Sequence, residues 1–151
     1  MEQINLKKVK EIVEEFFRKM AFEPIIEVSL AGEIVSVDLE TDEPQILIGQ
    51  GGETLAEIQR LLKIIARRQL TEDFRLELDI NGYKKKKADY LKEMAKEAAD
   101  EVALTKKEKE LPIMPSYERR VVHLALAQRT DVVSESVGQG LERRIIIRLR
   151  P

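Results

Sequence analysis

The sequence predicts an α+β protein made of two small domains. Apolar residues at spacings of three and four mark amphipathic helices, and runs rich in β-branched residues that alternate with polar ones mark strands between them. The pair Asn81-Gly82 then interrupts the chain near its middle. A length of 151 residues suits two such units. We therefore expect domains at residues 1–82 and 83–151.

The first half alternates between helical and strand patterns in the order αββααβ. Its predicted elements are a helix at 5–20 with Asn5 as its N-cap, strands at 25–30 and 34–39 joined by a short turn, a short segment at 44–48, a helix from Glu53, and a strand at 74–80. The buried face of the second long helix is expected to comprise Leu55, Ile58, Leu62 and Ile65.

The second half begins with a long, highly charged helix at 83–104. Its buried stripe is expected to comprise Tyr90, Leu91, Met94, Ala98, Val102 and Ala103. A second helix is expected from Ser116, its candidate N-cap, to about Gln128, with a short preceding strand left open. Strands at 132–137 and 143–149, joined by a glycine-containing loop at 138–140, complete the hairpin that ends this half.

Composition argues against several classes of site and location. The chain has no Cys and one His, so it lacks the residues for a Cys/His zinc site, a cysteine nucleophile or a disulfide framework. Among the serines, Ser116, Ser134 and Ser136 have only His123 as a general base, and no spacing suggests a catalytic triad. We therefore expect a non-enzymatic protein without a metal, a cofactor or a small-molecule substrate. The absence of a long apolar run or signal peptide predicts a cytoplasmic protein without membrane insertion.

The net charge of −2 conceals an asymmetry between the halves. Residues 1–82 hold 10 Lys/Arg and 17 Asp/Glu, a net −7, whereas residues 83–151 hold 16 and 11, a net +5. Such a difference indicates two units with different partners, and the basic half is the one suited to nucleic acid.

A glycine-rich turn, Gly49-Gln50-Gly51-Gly52, precedes the helix that begins near Glu53. Glycines allow a sugar-phosphate backbone to approach closely, and amides at the start of a helix can meet phosphate oxygens. An ordinary turn between packed helices is the alternative, because a bare G-x-x-G pattern is common. The loop is not a Walker loop, since no Gly-Lys-Ser/Thr follows it.

Arg119 and His123 form an Arg-x-x-x-His pattern on the second helix of the basic half. Residues four apart on a helix face the same way, so a guanidinium and an imidazole would lie side by side and could grip a phosphate or a base. The alternative is a structural histidine at the edge of the core beside a solvated arginine. We expect both side chains to project freely while the helix is anchored by Val121, Val122, Leu124 and Leu126.

Further cations lie near the pair in sequence. Arg120 follows Arg119 directly, and Arg143, Arg144, Arg148 and Arg150 belong to the last strand and its end. We expect Arg120 and Arg144 to extend the basic surface toward Arg119. The run Lys84–Lys87 is either a solvated helix end or a track for phosphates.

Two motifs together carry a resemblance to a known family. The αββααβ order around Gly49–Gly52 resembles a type II K homology (KH) domain, in which a G-x-x-G loop clamps about four nucleotides. The stretches Met114–Leu126 and Ser134–Ile147 are similar to an R-three-H domain, a small α/β module that binds single-stranded nucleic acid. A KH domain followed directly by this module is the arrangement of the Jag family of SpoIIIJ-associated proteins, and the resemblance covers essentially the whole chain.

The resemblance implies an RNA-binding protein of the bacterial cytoplasm that acts after transcription, with links to cell elongation and envelope homeostasis. Its implied partners are single-stranded RNA, with single-stranded DNA left open, and a small single-KH protein as a heterodimer partner. Jag proteins commonly carry an additional N-terminal domain; this sequence starts before the KH helix, as a short natural member or a trimmed chain. Family loops often hold Lys, Arg or His where this chain has Gln50 and Gly51. A protein-interaction scaffold whose KH unit has lost RNA is therefore the alternative.

Overall fold

The computed structural model describes residues 4–151 and confirms the α+β class. The chain divides into two compact units, one ending at Lys84 and the other covering residues 85–151. Each unit buries its own apolar cluster, so each has the core that an independently folding domain requires.

The first unit has the predicted order of elements. They are helix α1 (Leu6–Lys19), strands β1 (Ile25–Ala31) and β2 (Ile34–Glu40), helix α2 (Pro44–Ile48), a 3₁₀ turn (Gln50–Gly52), helix α3 (Glu53–Leu70) and strand β3 (Arg75–Ile80). Asn5 caps α1 as predicted, since its side-chain oxygen accepts a hydrogen bond from the Lys8 amide at 3.2 Å. On α3 the shorter Ala66 is fully buried, whereas Ile65 is only half-buried.

The sheet of this unit has the order β1-β2-β3. Strands β1 and β2 form an antiparallel hairpin, and β3 returns parallel to β2 after the two helices. Alternate residues of β2 and β3 enter the core, so the others share the opposite face. On that face Glu27, Asp38 and Asp79 lie side by side in one row across the three strands.

The second unit contains two helices and a small antiparallel sheet. Its elements are helix α4 (Tyr83–Thr105), strand β4 (Lys109–Glu110), helix α5 (Ser116–Leu126), strand β5 (Val132–Val137), a 3₁₀ turn (Gly140–Glu142) and strand β6 (Arg144–Leu149). Strand β6 lies in the centre, in the order β4-β6-β5. Its Ile145 and Ile147 are fully buried, and they place the core on one face of the sheet.

Several details of this unit differ from the sequence-based expectation. Tyr90 is 61% exposed, because the core-facing stripe of α4 runs instead through Leu91, Ala95, Ala98, Ala99 and Val102, where alanines pack closely. Pro115, not Ser116, holds the N-cap position of α5, and no side chain caps that end. Leu124 was expected to anchor α5 and is 66% exposed, since the helix turns it away from the buried Val122 and Leu126.

Candidate nucleic-acid interface

Helix α5 brings Arg119 and His123 together at the surface of the second unit. Val122 and Leu126 fix the helix to the core, and the two polar residues lie on a neighbouring face, each half-buried. Burial of the ring lowers the pKa of His123, and the nearby positive charge of Arg119 lowers it further. The pair therefore forms one electrostatic unit, with a neutral imidazole at pH 7.

His123 is held by Ser134, through a contact that the sequence did not predict. Its Nδ1 lies 2.8 Å from the Oγ of Ser134 on β5. Ser134 pairs with Ile147 in the antiparallel ladder, so its side chain projects from the core-facing side of the sheet, beneath α5. Nδ1 is occupied by this hydrogen bond, so Nε2 is the ring nitrogen that stays available to a ligand. No short-range pattern signals this contact, because the hairpin geometry alone brings the serine under the helix.

Arg119 is also anchored rather than freely projecting. Its Nη1 donates a hydrogen bond of 2.8 Å to the carbonyl oxygen of Met114, and the Met114 amide in turn donates to the carbonyl oxygen of Arg143 at 3.2 Å. The expectation of freely projecting side chains is therefore wrong for both residues. A guanidinium has five N–H donors, so this single bond fixes its orientation while other donors stay available.

The other predicted cations differ in how much charge they offer. Arg120 is exposed on α5. Arg144 forms an ion pair with Glu110 and donates to the Glu142 carbonyl oxygen at 3.1 Å. Arg148 is similarly paired with Glu135. Much of the positive charge of β6 is thus balanced locally, and Arg120 adds a more accessible charge beside Arg119.

The glycine-rich loop joins α2 to α3, and its conformation requires glycine at both outer positions. Gly49 has φ 72°, and a side-chain Cβ there would lie 2.2 Å from the Oγ1 of Thr54. Gly52 has φ 84°, and a Cβ there would lie 3.1 Å from the ring of Tyr83. A larger residue at either outer position is therefore disfavoured by steric contact as well as by the backbone conformation.

The two central residues of the loop, Gln50 and Gly51, are exposed and carry no charge. Glu53 stands in the first turn of α3, where its carboxylate competes with any anion for the helix N-terminus. The loop is thus open to a close backbone approach but lacks a cation of its own.

Comparison with known proteins places these features in a family. Residues 89–149 match the family model of the R-three-H domain. Over 145 residues the chain is 32% identical to the RNA-binding protein KhpB of Clostridium symbiosum, an alignment that covers 95% of this chain and 65% of the relative. The chain is thus similar to the Jag (KhpB) family over most of its own length. It is also 30% identical over 108 residues to KhpB of Bacillus subtilis, covering 70% of this chain and 52% of that protein.

A third relative is KhpB of Lactiplantibacillus plantarum, 28% identical over 125 residues that cover 83% of this chain and 39% of the relative. The chain therefore spans less than two thirds of the length of these curated relatives. The matched R-three-H region contains Arg119, His123 and Ser134.

The lysine run Lys84–Lys87 is partly engaged in contacts at the start of α4. Lys84 donates from Nζ to the Oε1 of Gln59 at 3.0 Å. Lys87 lies 3.7 Å from a carboxylate oxygen of Glu118 and 5.5 Å from the ring centre of Tyr90. These contacts favour the reading of a helix end over that of a phosphate track.

Residues 4–151 contain no group of three or more His, Asp or Glu side chains arranged to hold a metal ion. Over the same residues, no helix combines the length and the apolar character that crossing a bilayer demands.

Proposed function

We propose that this chain binds single-stranded RNA through the α5 interface, which we define as Arg119, Arg120 and His123. The observation that carries the proposal is that the Arg119 guanidinium and the His123 ring are adjacent and each is oriented by a hydrogen bond to its own unit. Preorganised groups lose little conformational freedom when a ligand binds. The names of the curated relatives, RNA-binding protein KhpB, support RNA as the ligand, and its single-stranded form is part of the proposal.

The chemistry of the interface suits a flexible strand. A guanidinium binds phosphate oxygens or the edge of a guanine through paired donors. A neutral histidine offers Nε2 as a single donor or acceptor, according to its tautomer, and so suits a base or a 2′-hydroxyl group. Binding, not catalysis, is therefore the activity that we assign to these residues. Arg144 has a peripheral part, because Glu110 already balances its charge.

We further propose that the first unit, residues 1–82 in the sequence-based division, is a type II KH domain. Its supporting features are the αββααβ order, the G-x-x-G turn between α2 and α3, and the parallel pairing of β2 with β3. In this proposal Gly49, Gln50, Gly51 and Gly52 form a secondary RNA contact, weaker than the α5 interface because no cation lies at its centre.

A protein-interaction role for the first unit is a second candidate, and the outer sheet face favours it. The row Glu27, Asp38 and Asp79 places three carboxylates side by side. Burial and then the neighbouring Asp79 and Glu27 raise the pKa of Asp38, whereas Lys84 lowers it, so the carboxylates of this row repel one another. Such a face repels RNA and suits a basic protein partner. The heterodimer with a small single-KH protein, which the family resemblance implies, belongs to this candidate.

The wider role that we propose is regulation after transcription in the cytoplasm, linked to cell elongation and envelope homeostasis as the Jag resemblance implies. RNA bound by the chain in living cells, recovered by crosslinking and sequencing, tests it. Enrichment of transcripts for elongation and envelope proteins would support the role, and enrichment of none would contradict it.

Fluorescence anisotropy with end-labelled oligonucleotides tests the binding function itself. The chain should bind single-stranded RNA more tightly than the corresponding RNA duplex. A DNA strand of the same sequence measures how far the chain distinguishes RNA from DNA through the 2′-hydroxyl group. Arg119→Ala should weaken binding by roughly tenfold to a hundredfold, the loss of one or two charge-assisted hydrogen bonds.

Arg148→Ala is the matched control, because Arg148 belongs to the same unit but is paired with Glu135. Its affinity should stay close to that of the parent. Equal affinities for Arg119→Ala and the parent would exclude the α5 interface as the binding site.

A further inference from the structure

Arg143 immediately precedes β6, with an extended backbone (φ −69°, ψ 136°). Because side chains alternate along an extended chain, it lies on the same sheet face as Ile145 and Ile147. Its Nε is shielded from solvent and has no hydrogen-bond partner. A buried donor without an acceptor is unfavourable and uncommon in folded proteins.

Ser136 presents a second such atom on the same face. Ser136 pairs with Ile145 in the β5–β6 ladder. One further pair separates it from the end of the ladder, where Arg143 precedes β6. The Oγ of Ser136 is also shielded from solvent and without a partner. Among residues 4–151, Ser136 Oγ and Arg143 Nε are the buried side-chain polar atoms identified as unpartnered, and strand register brings their residues to the same end of the hairpin.

This end of the hairpin is connected to the α5 interface through Met114. The Met114 amide donates to the carbonyl oxygen of Arg143, and its own carbonyl oxygen accepts from Arg119. The two arginines are therefore bonded to the same residue. The neighbouring cations of β6, Arg144 and Arg148, are occupied by Glu110 and Glu135.

We propose that Arg143 and Ser136 form a phosphate subsite that holds the backbone of the nucleic acid next to the α5 interface. The proposal rests on the proposed function. A phosphate oxygen supplies the acceptor that the guanidinium and the hydroxyl both lack, and charge-assisted bonds of this kind are the strong ones. Because both atoms are shielded in the free chain, Arg143 and Ser136 must both change rotamer to reach the ligand, and no ion pair within the described chain restrains Arg143.

The salt dependence of binding tests the subsite. Each phosphate neutralised on a single strand contributes about −0.7 to the slope of log affinity against log salt concentration. In anisotropy titrations of the full chain with single-stranded oligoribonucleotide, Arg143→Gln should therefore make the slope shallower by about 0.7. Arg148→Gln, the control in the same hairpin, should keep the parental slope, because its charge is balanced by Glu135.

Two milder variants keep the test decisive if Arg143→Gln does not fold by circular dichroism. Ser136→Ala should weaken binding roughly threefold to tenfold through one lost hydrogen bond, with the slope unchanged. Arg143→Lys should keep the slope but lose affinity, because a lysine has no guanidinium fork. Parental affinity in both would overturn the subsite. A parent chain that binds no single strand at all overturns the proposed function as well, so the two failures are distinguishable.

Discussion

The Nδ1 of His123 and the Oγ of Ser134 lie 2.8 Å apart and join helix α5 to strand β5. The contact does more than satisfy two polar groups, because it fixes which ring nitrogen faces outward. A histidine without such a partner rotates and exchanges tautomers, whereas this ring presents Nε2 in a defined direction. Ser134 is thus a positioning residue for the proposed interface.

Ser134→Ala should weaken RNA binding roughly threefold to tenfold by releasing the ring, even though Ser134 itself does not reach the ligand. Ser134→Thr retains the hydroxyl and should restore most of the affinity. The ¹⁵N chemical shifts of the His123 ring report the tautomer directly. A tautomer and affinity unchanged in Ser134→Ala would mean that the hydroxyl plays no part in positioning.

The lowered pKa of His123 sets the direction of two pH effects. Since its folded-state pKa lies below the unfolded value of about 6.5, His123 contributes stability that is fully present above pH 6.5 and is lost as the pH falls through the folded pKa. The free energy of unfolding of the parent should therefore decrease below pH 6.5. His123→Gln should reduce that decrease, as measured by urea denaturation at a series of pH values.

RNA binding should respond to pH in the corresponding window. The imidazole is neutral at pH 7, so affinity should stay level from pH 8 to 6.5. Below the lowered pKa, protonation adds a charge to the interface and affinity for phosphate should rise. An affinity that does not rise as the pH falls would contradict a contact between His123 and phosphate, and a rise that persists in His123→Gln would assign the effect to another group.

The two halves should differ in affinity. Fragment 83–151 carries the net +5 and the α5 interface, and it should bind single-stranded RNA with a clear salt slope. Fragment 1–82 carries the net −7 and the acidic row, and it should bind far more weakly. Each fragment retains its own apolar cluster, so circular dichroism can establish that both are folded before binding is compared. Equal or tighter binding by 1–82 would reverse the assignment.

The glycine loop should gain affinity from a single added cation. Gln50→Lys places an ammonium group at the exposed centre of the loop and should strengthen RNA binding at low salt. Gly51 is unsuitable for this change because its φ is 61°, a left-handed conformation that strains a long side chain. Gln50→Glu is the matched control and should weaken binding. If neither variant alters the affinity, the loop does not contact RNA and the scaffold candidate gains support.

Local patterns in the sequence predict the helices and strands, but they do not predict contacts between segments that are distant in the chain. The spacing of Arg119 and His123 predicts their adjacency, because helix geometry relates residues four apart. Ser134, Ser136 and Arg143 give no comparable signal, since their positions depend on the register of β5 against β6. The ion pair of Arg144 with Glu110 was equally hidden, and it explains why counting cations along the sequence overstates the available charge.

Arg119 and His123 should act as one recognition unit, and a double-mutant cycle measures that coupling. Arg119→Ala removes a guanidinium that, in the proposed interface, binds the RNA and that also lowers the pKa of His123, so the loss of affinity from His123→Gln should be smaller in its absence. We expect a coupling free energy of about 0.5–3 kcal/mol, the range for residues that share one network.

Stability must be measured alongside binding in this cycle, because both residues are half-buried. Arg119→Ala loses its bond to the Met114 carbonyl oxygen, which should cost about 0.5–1.5 kcal/mol of unfolding free energy and leave the domain folded. Additive binding losses in folded variants would show that the two side chains contact separate parts of the RNA. A His123→Gln variant that unfolds would instead make the histidine a structural residue, because its contact with Ser134 would then hold the unit together.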